Sequence, residues 1–181
     1  MTVEDRPLRA DARRNREALV AAAREVFGVK GIDAPLDEIA RRAEVAIGTL
    51  YNRFPTRADL VEAAFLPVLE KARVVADEAL ACADPWEGFV LFLERLVRMQ
   101  VTDRGFMQVC SRAFDPGSGV GKVKQDNASR IERLIARARE TGALRADFRG
   151  EDLAIVFAAA TATPDWRRGL AVVLEGLRSR A

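Results

Sequence analysis

The sequence predicts an all-α protein of about nine helices: an N-terminal three-helix helix-turn-helix head and a larger helical domain behind it. Three observations carry this. Ala, Arg, Glu and Leu dominate, which are good helix formers, and β-branched runs are scarce. Apolar residues recur at i, i+3, i+4 and i+7, as in Leu19, Ala22, Ala23, Val26 and Phe27, rather than alternating. Helix start and stop signals punctuate the chain at Lys30-Gly31, Thr56-x-x-Asp59 and Asp84-Pro85-x-Glu87. Of the 181 residues, 49% are apolar, enough for a core, and the head is expected to occupy residues 1–55 with a larger helical domain over 56–181.

The first helix is expected from about Arg9 to Val29, closed by a cation and a left-handed glycine at Lys30-Gly31. The second begins near Pro35, with Asp37 and Glu38 in the first turn and Leu36, Ile39, Ala40 and Ala43 inward. Arg41 and Arg42 point away from that face. The third covers Ile47 to Arg53 and ends at Phe54-Pro55. Ile47, Leu50, Tyr51 and Phe54 share one side, and Gly48, Thr49, Asn52 and Arg53 the other. A helix this short needs neighbours to hold it, so its polar side is either an ordinary solvated face or a surface free to meet a partner. Gly48 and Thr49 are small enough for the backbone to approach a groove; Thr49 and Asn52 can hydrogen-bond base edges or phosphates, and Arg53 can take a phosphate or guanine.

Charge fits a nucleic-acid partner by distribution rather than by total. The net charge is only +2. Residues 1–57 hold eleven Lys/Arg against nine Asp/Glu, and the rest hold eighteen of each. The surplus concentrates at Arg6, Arg9, Arg13, Arg14 and Arg16, a basic arm beside a helix-turn-helix.

The run LDEIARRAEVAIGTLYNRFPTRADL resembles the N-terminal signature of the TetR/AcrR family of bacterial transcriptional regulators. Ile39-Ala40, Ala43, Val45, Gly48 to Tyr51, Phe54, Arg57 and Leu60 carry the resemblance. It implies a homodimer that binds a pseudo-palindromic double-stranded DNA operator, with Thr49, Tyr51, Asn52 and Arg57 at the DNA; together with the reading of the residues this gives the candidate DNA-binding set Arg13, Arg14, Arg42, Ile47, Gly48, Thr49, Tyr51, Asn52, Arg53 and Arg57. Arg57 would be a phosphate contact. Two positions depart from the family pattern: Glu44 stands where a turn glycine is usual, and Ala46 where Ser or Thr caps the third helix.

The fourth helix opens at Thr56-x-x-Asp59 and runs to about Cys82, with Pro67 inside it as a bend about which the head could swing. The fifth starts at Asp84-Pro85 and reaches about Val101; the sixth covers Arg104 to Ala113. Phe65, Leu69, Trp86, Phe89, Phe92, Leu93, Met99, Phe106, Met107, Cys110 and Phe114 could line an apolar effector cavity or simply form core. The resemblance favours the cavity, with Gln100, Gln108 and Arg112 as polar contacts. Pro116 to Gly121 reads as a flexible loop, without the spacing of a phosphate-binding loop. A seventh helix is expected over Lys124–Thr141, an eighth over Gly150–Ala162 and a ninth from Thr163-Pro164 to Ser179. Leu153, Val156, Phe157 and Ala160, with Leu170, Val173, Leu174 and Leu177, repeat at helical spacing and either pack on their own chain only or make half of a four-helix bundle; the resemblance favours a dimer interface there. The closing segment WRRGLAVVLEGLR resembles the SbtR-like branch of the family.

The absence of histidine removes Ser-His-Asp, Cys-His and His-based metal chemistry. Cys82 and Cys110 match no metal spacing and read as buried free thiols. No apolar run reaches membrane-spanning length. The expectation is a cytoplasmic regulator without cofactor or enzymatic activity, most simply a repressor released by a small apolar effector. The alternative, favoured by Glu44 and Ala46, is a helical ligand-binding or adaptor protein whose head does not bind DNA.

Overall fold

The computed structural model describes residues 5–179, with side chains from residue 11 onward. The Arg6 and Arg9 side chains lie outside the described residues. Among the described residues there are nine α-helices and no named strand: α1 (Asp5–Lys30), α2 (Leu36–Arg42), α3 (Ile47–Arg53), α4 (Arg57–Ala81), α5 (Pro85–Val101), α6 (Arg104–Ser111), α7 (Gly119–Glu140), α8 (Leu153–Thr161) and α9 (Trp166–Leu177). A 3₁₀ turn at Gly150–Asp152 leads into α8, and one antiparallel bridge joins Leu144 to Arg178.

The chain forms two compact units. The first comprises the residues up to Val68 together with Asp103–Arg112, and so gathers α1, α2, α3, the start of α4 and α6. Its centre is Leu19, Ala23, Phe27, Ile39, Leu50, Leu60, Phe65 and Phe106, all with no exposed surface. Phe27 and Phe65 stack with ring centroids 6.3 Å apart. α6 reaches this core because Gly105 lacks a side chain: a Cβ there would stand 2.4 Å from the Phe65 ring and 2.6 Å from the Phe27 carbonyl.

The second unit comprises Leu69–Thr102 and the residues from Ala113 onward. α5 packs against α7, α8 and α9 and buries Trp86, Phe89, Phe92, Leu93, Leu96 and Val97, as its many-sided apolar pattern predicts. Phe148 meets Phe89 edge-on at 5.7 Å. α7 is tied to the second half of α4 by polar contacts: Arg130 Nε donates to Asp77 at 2.6 Å, Asn127 Nδ2 to the Leu69 carbonyl at 3.2 Å, and Arg137 to the Leu80 and Cys82 carbonyls.

The caps behave as the sequence indicates. Thr56 and Asp59 cap α4 reciprocally, and Asp84 Oδ1 accepts the Trp86 and Glu87 amides. Boundaries differ in several places. α1 extends back to Asp5, and α9 is shorter than expected, from Trp166 to Leu177. Pro35 is the residue before α2 rather than its first, with extended backbone at ψ 133°. α6 stops at Ser111. α7 begins at Gly119, so the expected flexible loop is in part a helix start: Ser118 Oγ accepts the Gly121 amide at 2.9 Å, and the Asp115 carbonyl lies where a Gly121 Cβ would be. The expected eighth helix is split into the 3₁₀ turn and α8.

The two departures in the α2–α3 turn have visible costs. Glu44 is the one described non-glycine residue with positive φ, at 56°. Ala46 precedes α3 with no side-chain cap bond. Relieving left-handed backbone and adding a cap are each worth about 1 kcal/mol. Combining Glu44→Gly with Ala46→Ser is therefore expected to raise the thermal midpoint of the full chain; an unchanged midpoint would show that neither position costs stability.

Candidate nucleic-acid interface

α3 buries one residue, Leu50, and Phe54 follows it inward at 3% exposure. The inner stripe is narrower than its periodicity predicts. Ile47 is 42% and Tyr51 51% exposed, so both join Gly48, Asn52 and Arg53 on the solvent side, with Thr49 half-buried. Nothing lies within 4 Å of where a Gly48 Cβ would be, so the α3 backbone is open to close approach. The outer surface of α3 therefore combines two large apolar groups, a bare backbone position, two hydrogen-bonding side chains and a cation.

The cations around it differ in how free they are. Arg53 is exposed and has no carboxylate in reach among the described residues. Arg13 faces Glu17 at 3.7 Å and Arg14 pairs with Asp11, both exposed pairs of small energetic weight. Arg42 pairs with Glu25 of α1. Arg16 lies over the Phe54 ring at 5.4 Å and so braces the end of α3. Arg57 is half-buried, and its Nη1 donates to the Ile32 carbonyl at 2.9 Å and the Ala34 carbonyl at 2.6 Å. It thus fastens the α1–α2 connection to the start of α4.

α6 belongs to this unit through polar links as well as Gly105. Asp103 is 7% exposed; one oxygen caps the Phe106 amide at 2.9 Å and the other pairs with Arg24 of α1. Arg24 also lies 4.8 Å over the Phe65 ring. Gln108 Oε1 accepts the Ile32 amide at 2.8 Å, and Arg112 clasps Asp33, with Nη1 to Oδ1 at 3.0 Å. The hydrogen bond from Arg112 holds the Asp33 carboxyl below the usual carboxylate range, so this clasp persists at neutral pH and is lost only as acid protonates Asp33. Gln108 and Arg112, expected as effector contacts, are thus engaged with the α1–α2 connection.

Two family models match this chain. That for bacterial regulatory proteins, tetR family, covers residues 19–64, and that for the SbtR-like transcriptional regulator C-terminal domain covers residues 84–179, more than half of the sequence. The chain belongs to the TetR family. A TetR regulatory protein from Mycobacterium vanbaalenii is 31% identical, with 95% of this chain and 99% of that one aligned at a TM-score of 0.57. A TetR regulator from Streptomyces coelicolor is 32% identical over 92% and 99%, also at 0.57. The transcriptional repressor KstR of Mycolicibacterium smegmatis is 27% identical over 135 residues, 72% of this chain. That match spans 65% of KstR, and the match to the Rhodococcus jostii KstR spans 47% of it, less than two thirds of either relative.

The residues expected to line an effector cavity fall into both units of this TetR chain. Phe65, Phe106, Met107 and Cys110 lie in the first, where Phe65 and Phe106 are core and Met107 is exposed. Leu69, Trp86, Phe89, Phe92 and Leu93 lie buried in the second, with Met99 and Phe114 half-buried. Cys82 and Cys110 form no disulfide and are half-buried rather than buried as expected. Of the expected dimer residues, Leu153, Val156, Ala160, Leu170 and Leu177 are buried by their own chain, while Phe157, Val173 and Leu174 are half-buried. Sequence reasoning missed Ile155 and Val172, which are 67% and 62% exposed. The signal was present: every residue of α8 from Leu153 to Ala160 is apolar, and a helix apolar all round must be covered on both sides.

The Arg24–Asp103 pair generates a prediction. Removing Arg24 leaves a buried carboxylate without its charge partner, a loss of about 1–3 kcal/mol. Arg24→Ala is expected to lower the unfolding midpoint, whereas exposed Arg13→Ala leaves it unchanged.

Proposed function

We propose that the protein is a transcriptional repressor that binds a pseudo-palindromic DNA operator as a homodimer and releases it when a small apolar effector binds the second unit. The observation that carries this reading is the exposed outer face of α3, supported by membership of the TetR family and by similarity to a relative named as a transcriptional repressor. On this reading α3 enters the major groove at each half-site. Thr49 and Asn52 hydrogen-bond bases or phosphates, Tyr51 and Ile47 pack on the groove wall, and Arg53 takes a guanine edge or a phosphate. Arg13, Arg14 and Arg42 add phosphate contacts from the flanks, so affinity falls steeply with salt.

The second copy is proposed to cover Ile155 and Val172 and to meet Phe157, Val173 and Leu174. Apolar groups this exposed, on two adjoining helices, suit a two-fold interface. The effector is proposed to lodge among Leu69, Trp86, Phe89, Phe92, Leu93, Met99 and Phe114. α4 runs through both units, and Pro67 lies just before their division at Val68 and Leu69. A proline there removes one helical hydrogen bond and supplies a point of bending. Repression is relieved to the extent that the effector binds the non-binding conformation more tightly.

Glu44 at φ 56° and the uncapped Ala46 favour a second reading, an adaptor whose head no longer engages DNA. DNA selected from a random pool, followed by a salt-titrated shift assay, separates the two: saturable, sequence-selective binding supports the repressor, and its absence supports the adaptor. Thr49→Ala and Tyr51→Ala are expected to weaken that binding without lowering the unfolding midpoint. If Arg57 also touches phosphate, Arg57→Ala reduces the salt slope by about one unit; if it only fastens the α1–α2 connection, the midpoint falls and the slope stays. Ile155→Asp or Val172→Asp is expected to give monomers by sedimentation, and a dimer that tolerates both charges would refute the proposed interface.

A further inference from the structure

A cleft of about 230 Å³ opens between α5 and α9 within the second unit. Arg95, Arg98 and Arg167 stand around it against a single carboxylate, Glu94, while Trp166, Leu170 and Leu174 supply an apolar wall. Several arginines elsewhere pair closely with acids, as Arg73 does with Glu70, Arg112 with Asp33 and Arg130 with Asp77. Here Arg95 reaches only Glu78, at 3.8 Å, and neither Arg98 nor Arg167 has a carboxylate partner among the described residues. The Arg167 guanidinium lies 4.6 Å over the Trp166 ring, which orients it and leaves its N–H edge available.

We propose that this cleft is a small-molecule site for an amphipathic anion, a carboxylate or phosphate head on a short apolar body. The guanidinium forks match such heads bidentately, and the Trp166, Leu170 and Leu174 wall takes the body. The cleft has the volume of about eight liquid waters at about 30 Å³ each, and it is open to solvent on one side, so it suits a short amphipathic molecule. The site is separate from the proposed effector residues and does not depend on DNA binding. Leu174 is shared with the interface proposed above, but that interface centres on Ile155 and Val172. Val172 stands two positions from both Leu170 and Leu174, about 200° around α9, so the most exposed part of the dimer face points away from the cleft.

The protein's two tryptophans, Trp86 and Trp166, allow a direct test on the full chain. Indole ¹⁵N–¹H signals, assigned with Trp166→Phe, are followed during titration with hexanoate, hexyl phosphate and hexylammonium. Saturable movement of the Trp166 signal with either anion, the Trp86 signal remaining in place, is expected, and the tighter anion identifies the head. Arg98→Gln and Arg167→Gln should each weaken that binding about tenfold. Equal response to hexylammonium, no response to either anion, movement of Trp86 instead, or indifference to both arginine variants would overturn the proposal. So would loss of the dimer on Arg98→Gln in sedimentation, because the cleft would then be covered by the partner.

Discussion

Leu50 is the single buried residue of α3, and the head is built around keeping it buried. A seven-residue helix has no stability of its own, since nucleation costs more than one turn of hydrogen bonds returns. The compensation comes from neighbours: Phe27, Ile39 and Leu60 close around the core, and Arg16 lies on the Phe54 ring that ends the helix. Because so few residues face inward, most of the perimeter of α3 is open to solvent.

The arginines show a division of labour that composition conceals. Those nearest the head's core are committed to holding it: Arg16 to an aromatic ring, Arg24 to Asp103, Arg57 to two carbonyls. Arg53 stays unpaired at the tip of the exposed helix. A partly buried guanidinium that satisfies backbone oxygens is worth more in place than an exposed ion pair. The small basic excess of the N-terminal third therefore understates the head's specialisation in one respect and overstates it in another, since several of the charges are structural.

Local chemistry was legible in the chain and distant association was not. The caps at Thr56 and Asp84, and the bounds of α3, depend on residues within four positions of each other and follow from the sequence. The exposure of Ile47 and Tyr51 was not legible, because helical periodicity names a side but not how far neighbours reach around it. The start of α7 was hidden by glycines, which signal flexibility but here permit close contact with the Asp115 carbonyl. α8 has two apolar stripes, and periodicity singled out the one that packs on its own chain. The placement of α6 was the least accessible: its bonds join residues 76 to 79 positions apart.

That last feature separates chain order from the unit that folds. A chain stopped at residue 68 would contain every helix that the family signature names, yet it would lack the segment that roofs Phe27 and Phe65 and carries the counter-charge of Arg24. Two aromatic faces would be left against water, with the guanidinium above them unmatched. The portable reading head of this protein is thus assembled from two stretches of sequence, and excising it intact requires a graft that brings Asp103–Arg112 along with the first 68 residues.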